Sequence, residues 1–163
     1  MARTNADCGA WVTELLEIGP CDSVLEVGFG PGVIIQRLAQ LAGRTSGIDP
    51  SQEMVAQARA RNAIAIEDGR VDLRRGSVEH LPFDDNAFDK ALAINSMQVW
   101  PDSAAGLREM RRVMKPGGKV ALGFTPYAGQ QNQGLTELLG AAGFTNATVV
   151  ERDGSFCALA QKP

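Results

Sequence analysis

The feature that most constrains this sequence is a short apolar run that ends in three closely spaced glycines. Residues 23–27 read Ser-Val-Leu-Glu-Val, Gly28, Gly30 and Gly32 follow, and apolar residues at helical spacing begin at Val33. Glycine has no Cβ, so its backbone can approach a bound molecule closely. This order predicts a strand, a ligand-contacting turn and a helix, although a tight turn without a ligand has the same spacing.

The rest of the chain alternates short apolar runs with longer helical patterns, which predicts βαβ units and a mainly parallel α/β sheet. Asp153-Gly154 separates the last two apolar runs and is typical of a β-hairpin, so the final strand should be antiparallel to its neighbour. A length of 163 residues suits one domain, 1–163, that opens with an N-terminal helix within residues 1–19. The predicted strands are 23–27, 45–49, 70–74, 88–95, 119–125, 145–151 and 155–161, and the predicted helices lie within 11–18, 33–42, 51–58, 102–115 and 134–142.

The composition argues against several classes of function. A net charge of −3 disfavours a nucleic-acid surface, which depends on clustered Lys and Arg, and weakly suits a cationic ligand. No apolar run approaches the ~18 residues of a membrane span and the N-terminus lacks a signal-peptide pattern, so we expect a cytoplasmic protein without a membrane partner. Cys8, Cys21 and Cys157 are widely spaced and His80 is the one histidine, which predicts reduced thiols and no metal site.

The glycine turn differs from the fingerprint of dinucleotide-binding proteins. That fingerprint, G-x-G-x-x-G, needs a small residue where this chain has Val33. Pro31 removes a backbone donor that would face a diphosphate, and the Glu26 carboxylate would repel one. The same carboxylate favours an ammonium or sulfonium group. We therefore expect a nucleoside-like ligand that is not strongly anionic.

Asp49 ends the second predicted strand, about 20 residues after the turn, where an acidic side chain can accept hydrogen bonds from both ribose hydroxyls. The alternative is an acidic helix cap before Pro50 and Ser51.

Taken together, five segments resemble class I S-adenosylmethionine-dependent methyltransferases, in particular the subgroup of ubiquinone and menaquinone biosynthesis methyltransferases. The resemblance runs from about Cys21 to the C-terminus. The segments are 24–32, similar to motif I; 47–54, similar to the ribose-binding segment; 76–83, similar to the adenine-side loop; 88–95, similar to the fourth strand; and 112–118, similar to the turn into the fifth.

This resemblance implies a Rossmann-like sheet of seven strands in the order 3-2-1-4-5-7-6, with strand 7 antiparallel and helices on both faces. It implies S-adenosylmethionine as the cofactor and S-adenosylhomocysteine as the product. The implied contacts are the glycines to the methionine portion, Glu26 to its amino group, Asp49 to the ribose, Met54 and the 76–78 segment to the adenine, and Asn95 beside the cofactor. The full set of implied cofactor-binding residues is Glu26, Gly28, Gly30, Gly32, Asp49, Pro50, Met54, Gly76, Ser77, Val78 and Asn95.

Two features depart from the family pattern. Ser77 stands where relatives commonly have Asp, and its hydroxyl is a weaker acceptor for the adenine amino group. The segments that cover the acceptor in relatives are short here, about twenty residues before the first strand and residues 126–133 after the fifth. The lid is then small, or a second subunit completes it in a homodimer.

The acceptor should lie at the carboxyl ends of strands four and five, where open α/β sheets bind ligands. We expect it among Trp11, Met97, Trp100 and Tyr127, with the N-terminal helix as a lid. His80 is a candidate base but lies in the adenine-side loop, and no catalytic residue is named.

The predicted activity is methyl transfer to a small-molecule acceptor by in-line displacement. The main alternative is a methyltransferase-like binding module that holds the cofactor without activity. A nicotinamide-dependent oxidoreductase and a methyltransferase of protein or nucleic acid are the remaining alternatives.

Overall fold

A computed structural model describes residues 2–163, with side chains described from Asn5 onward, and its sheet has the predicted topology. Seven strands lie in the order β3-β2-β1-β4-β5-β7-β6, and β7 runs antiparallel to both neighbours, which confirms the expected order and direction. The strands are β1 Ser23–Val27, β2 Arg44–Asp49, β3 Val71–Arg75, β4 Phe88–Ile94, β5 Met114–Phe124, β6 Thr145–Arg152 and β7 Ser155–Gln161. The helices are α1 Ala2–Leu15, α2 Val33–Leu41, α3 Gln52–Arg61, α4 Ala63–Glu67, α5 Ser103–Val113 and α6 Leu135–Ala141, with 3₁₀ turns at Val78–His80 and Met97–Val99.

Several boundaries follow local signals in the sequence. Ser51 caps α3 by accepting a hydrogen bond from the Met54 N–H (3.3 Å), a role that serine commonly takes before a helix. Asp153 and Gly154 both have positive φ, 51° and 80°, the conformation that a two-residue hairpin turn requires. The predicted β6–β7 hairpin is confirmed.

The largest differences from the sequence prediction are at α1, α4 and β5. The helix α1 begins at Ala2 rather than near Trp11, and α4 lies where no element was expected. The strand β5 begins at Met114, five residues earlier than predicted, because Met114 already pairs with Phe88. Gly117, in the segment expected to turn into the fifth strand, lies inside this strand with φ 82° and donates to the Lys162 carbonyl (2.8 Å).

Side chains that alternate along the central strands build a separate core on each face of the sheet. Val24 of β1 packs in a cluster with Val12 of α1 and Leu38 of α2. Its neighbour Leu25 packs on the other face, with Leu107 of α5 among others. The helices thus cover both faces and leave the carboxyl ends of β1, β2 and β4 open at one edge.

Among the described helices, none is long and apolar enough to cross a bilayer.

Candidate functional site

The glycine turn after β1 forms the floor of the site. Gly28, Gly30 and Gly32 all have positive φ, 77°, 53° and 84°, which only glycine adopts without a steric penalty. A Cβ on Gly28 would collide with the Ser96 hydroxyl, whereas a Cβ on Gly30 would meet nothing within 4 Å. Gly30 therefore faces open space. Gly32 lies elsewhere, since its Cβ would stand 2.7 Å from Ala58 of α3.

Asp49 ties the end of β2 to this turn. Its side chain is 6% exposed, one carboxylate oxygen accepts from the Gly30 N–H (2.9 Å) and the other accepts from the Ser51 N–H (2.9 Å). The structure makes Ser51 the cap of α3 and gives Asp49 only the backbone N–H of that residue, so the capping alternative is not borne out. It leaves the ribose role open, because each carboxylate oxygen can accept a second hydrogen bond.

Glu26 is the most unusual group of the site. It is 2% exposed, and its Oε2 atom is buried with no hydrogen-bond partner among the described residues. Burial, and after it the charge of Asp49, raises the pKa of Glu26 from 4.5 to about 8. A buried carboxylate without a partner is costly unless a cation or donor joins it.

Two cavities meet at the glycine turn. The β2-side cavity, about 390 Å³, is lined by Val27, Gly28, Gly30, Ile48, Asp49, Pro50, Gly76, Ser77, Val78, Asn95, Ser96, Val99, Trp100 and Pro101. The α1-side cavity, about 310 Å³, is lined by Asn5, Ala6, Glu26, Gly28, Phe29, Gly30, Pro31, Val33, Ile34, Ile94 and Asn95. Gly28, Gly30 and Asn95 line both, so these three residues mark the junction.

The structure brings together nine of the eleven residues expected to bind the cofactor. Gly32 packs on α3 and lines neither cavity. Met54, half-buried near the start of α3, also lines neither cavity. Ser77 lines the β2-side cavity while its hydroxyl accepts from the Glu79 N–H (3.2 Å) and caps the short helix. His80, at the end of that short helix, lines neither cavity.

The four residues expected on the acceptor side do not form one pocket in the described structure. Trp11 is six residues after Asn5, about 240° farther round α1, and lines a separate cavity of about 420 Å³ beside the β6–β7 turn. Met97 is 3% exposed and belongs to the core, because the 3₁₀ turn folds it inward. Tyr127 is 73% exposed and lines neither cavity at the turn.

Trp100 lines the β2-side cavity together with Asp49. Its ring packs against Gly106, where a Cβ would approach Cε3 to 2.8 Å. Its Nε1–H donates to the Ser96 hydroxyl (2.9 Å). The prediction that these residues share one pocket was wrong. Trp11 lies on another flank of α1, and the turn after β4 points Met97 into the core.

Sequence reasoning missed three polar residues at the junction. Ser96 lies over Gly28, and Asn5 and Thr125 both bond to the Asn95 side chain. The resemblance had already implied that Asn95 lies beside the cofactor. No local pattern pointed to Asn5 or Thr125.

Comparisons with known proteins agree with this geometry. The profile of a family described as a methyltransferase domain matches residues 25–122. Over its full length the chain is 32% identical to the uncharacterized methyltransferase YdaC of Bacillus subtilis (strain 168) and covers 96% of that protein. Over 107 residues, 66% of this chain and 43% of the relative, it is 36% identical to the demethylmenaquinone methyltransferase of Corynebacterium kroppenstedtii.

Solved structures share the fold. Phosphoethanolamine N-methyltransferase 2 of Haemonchus contortus, in complex with S-adenosyl-L-methionine, superposes with a TM-score of 0.84 at 17% identity, over 96% of this chain and 52% of the other. The [4+2]-cyclase SpnF superposes with a TM-score of 0.82 at 23% identity, over 97% of this chain and 81% of the other. A fold that also serves a cyclase does not by itself specify the reaction.

Proposed function

The chain belongs to the methyltransferase-domain family and is a class I S-adenosylmethionine-dependent methyltransferase, and on that premise we propose that it methylates a small-molecule acceptor at the junction of the two cavities. Residues 1–163 would work as one domain, with the first turn of α1 closing the site. The observation that carries the assignment of the cofactor site is the buried, unpartnered Glu26 carboxylate oxygen beside the glycine turn.

The residues present fit the cofactor in two halves. In the β2-side cavity, Asp49 would accept from the ribose hydroxyls while the 76–78 segment meets the adenine. In the α1-side cavity, Glu26 would receive the ammonium of the methionine portion, a charge-assisted hydrogen bond in a site largely screened from water. Open space at Gly30 leaves room for the chain that links these halves.

When bound, the cofactor supplies a methyl carbon on a positively charged sulfur, which a nucleophile can displace in line. The contribution of the protein is then mainly to position the reactants, which can supply about 7–11 kcal/mol in favourable systems. Among the residues whose side chains are described, Glu26 and Asp49 are the titratable ones that line the two cavities, and both hold the cofactor in this proposal. An acceptor proton would leave to water.

The acceptor is proposed to approach between the segments that follow β4 and β5. Residues 95–101 and 125–133 contain no Lys, Arg, Asp, Glu or His. Recognition of a nucleic acid would need basic side chains for its phosphates. The small molecules named in relatives, such as demethylmenaquinone, support a small-molecule acceptor.

The test is a screen of small phenols, amines and quinol-like acceptors with S-adenosylmethionine, in which S-adenosylhomocysteine is measured. Methyl transfer to at least one acceptor is expected. Binding of the cofactor without turnover of any acceptor would favour the inactive binding module. Calorimetry with S-adenosylhomocysteine and NAD is the companion measurement, and tighter binding of NAD would overturn the assignment of the glycine turn.

A further inference from the structure

Asn95 has an unusual backbone conformation at the junction of the two cavities. It follows β4 directly, and its φ is 49°. Residues other than glycine persist in this left-handed region where side-chain contacts hold them, and asparagine tolerates it best. The contacts that hold Asn95 therefore bear on the shape of the site.

The carboxamide of Asn95 uses both of its ends on neighbouring elements. Its Oδ1 accepts from the Thr125 N–H just after β5 (2.9 Å). Its Nδ2 donates to the Thr125 hydroxyl (3.0 Å) and to Oδ1 of Asn5 in α1 (2.8 Å). The side chain thus bonds to Thr125, which is 3% exposed, and to the first turns of α1.

Asn5 is the exposed member of this arrangement. Together with Ala6 it lines the α1-side cavity, which Glu26 also lines. Among the residues whose side chains are described, the buried anchors of α1 begin at Cys8. Residues 5–7 are exposed or half-buried, and the Asn5–Asn95 hydrogen bond ties them to the end of β4.

We infer that Asn95 is a positioning residue that holds Asn5 at the wall of the α1-side cavity, and that release of this hydrogen bond widens the route by which the cofactor enters and leaves. Asn95 acts through its hydrogen bond to Asn5 and takes no part in the chemical step. The inference rests on the proposed placement of the cofactor's methionine portion in the α1-side cavity.

The experiment compares Asn5→Ala, Asn95→Asp and the double variant with Asp7→Ala as the matched control. Asp7 is an exposed residue of the same helix that lines the cavity on its other flank. Alanine favours helix, so Asn5→Ala removes the hydrogen bond without lowering helix propensity. Asn95→Asp keeps the acceptor for the Thr125 N–H and loses the donor to Asn5.

The first readout is amide hydrogen exchange of residues 2–8 in the cofactor-free protein, which does not depend on the proposed function. Exchange should be faster in Asn5→Ala and Asn95→Asp than in wild type and Asp7→Ala. The second readout is S-adenosylhomocysteine binding, which should weaken about two- to tenfold, as expected for one net hydrogen bond. The affinity of the double variant should be no lower than that of the more impaired single variant, because both changes remove the same Asn5–Asn95 hydrogen bond.

Equal exchange and equal affinity in Asn5→Ala and Asp7→Ala would overturn the inference. Additive losses in the double variant would overturn it as well. Faster exchange in the cofactor-free protein, combined with wild-type affinity in both single variants, would show that the α1-side cavity does not hold the cofactor, which contradicts the proposed function instead.

Discussion

Replacing Glu26 by glutamine should remove a pH dependence of stability that the wild type carries. Glu26 is 2% exposed, and burial, followed by the charge of Asp49, raises its pKa from 4.5 to about 8. Between these values the folded protein holds a proton on Glu26 that the unfolded chain has released. The free energy of unfolding therefore falls as pH rises, by about 1.4 kcal/mol per pH unit.

The magnitude follows from the two pKa values of Glu26. Below pH 4.5 the carboxyl is protonated in both states, and its stabilising contribution is complete. This contribution is lost as pH rises toward 8, by about 2 kcal/mol at pH 6 and about 4 kcal/mol at pH 8. Glutamine has a similar shape and does not ionise. The free energy of unfolding of Glu26→Gln, minus that of wild type, should therefore increase by about 2 kcal/mol between pH 6 and pH 8.

The assay is urea unfolding of the cofactor-free proteins at pH 6, 7 and 8, followed by circular dichroism. Glu67→Gln is the matched control because Glu67 is an exposed residue of α4, and its difference from wild type should stay flat. A Glu26→Gln difference that also stays flat would refute the reasoning. It would mean that Glu26 has the same protonation state in the folded and unfolded protein.

The remaining predictions concern the cofactor. Wild type should bind S-adenosylhomocysteine about tenfold more tightly at pH 7 than at pH 6, since the ammonium needs the carboxylate form of Glu26. Calorimetry should show no such gain for Glu26→Gln. Asp49→Asn should lower both stability and affinity, by about 1–3 kcal/mol each, because an amide cannot accept from both Gly30 and Ser51. An unchanged melting temperature with lost affinity would assign Asp49 to the ligand alone. Ser77→Asp should keep or raise affinity in the same titrations, because aspartate also caps a helix; a large loss would contradict the adenine assignment.

Local signals were enough to predict most of the helices and strands and the closing hairpin, whereas the strand order came from the resemblance to the family. The glycine turn and the Asp153–Gly154 hairpin need particular φ angles, which few residue types adopt, so their positions were readable without tertiary information. The caps Ser51 and Asp102 act on N–H groups three residues away. The start of β5 was predicted wrongly because it depends on a distant contact rather than on a local signal. Met114 joins the sheet through Phe88, 26 residues away in sequence, and no local pattern records that pairing.

By itself the sequence determined the order of elements, because periodicity and turn chemistry act over a few residues, and its motifs indicated the family. Only the tertiary structure decided which side chains meet there. The Asn95 carboxamide reaches Asn5 across 90 positions of sequence, and Trp11 points away because helix phase places it on another flank. The raised pKa of Glu26 likewise depends on the burial of its side chain and on the nearby charge of Asp49. Burial and electrostatic interactions depend on distances in space, and those distances exist only once the chain has folded.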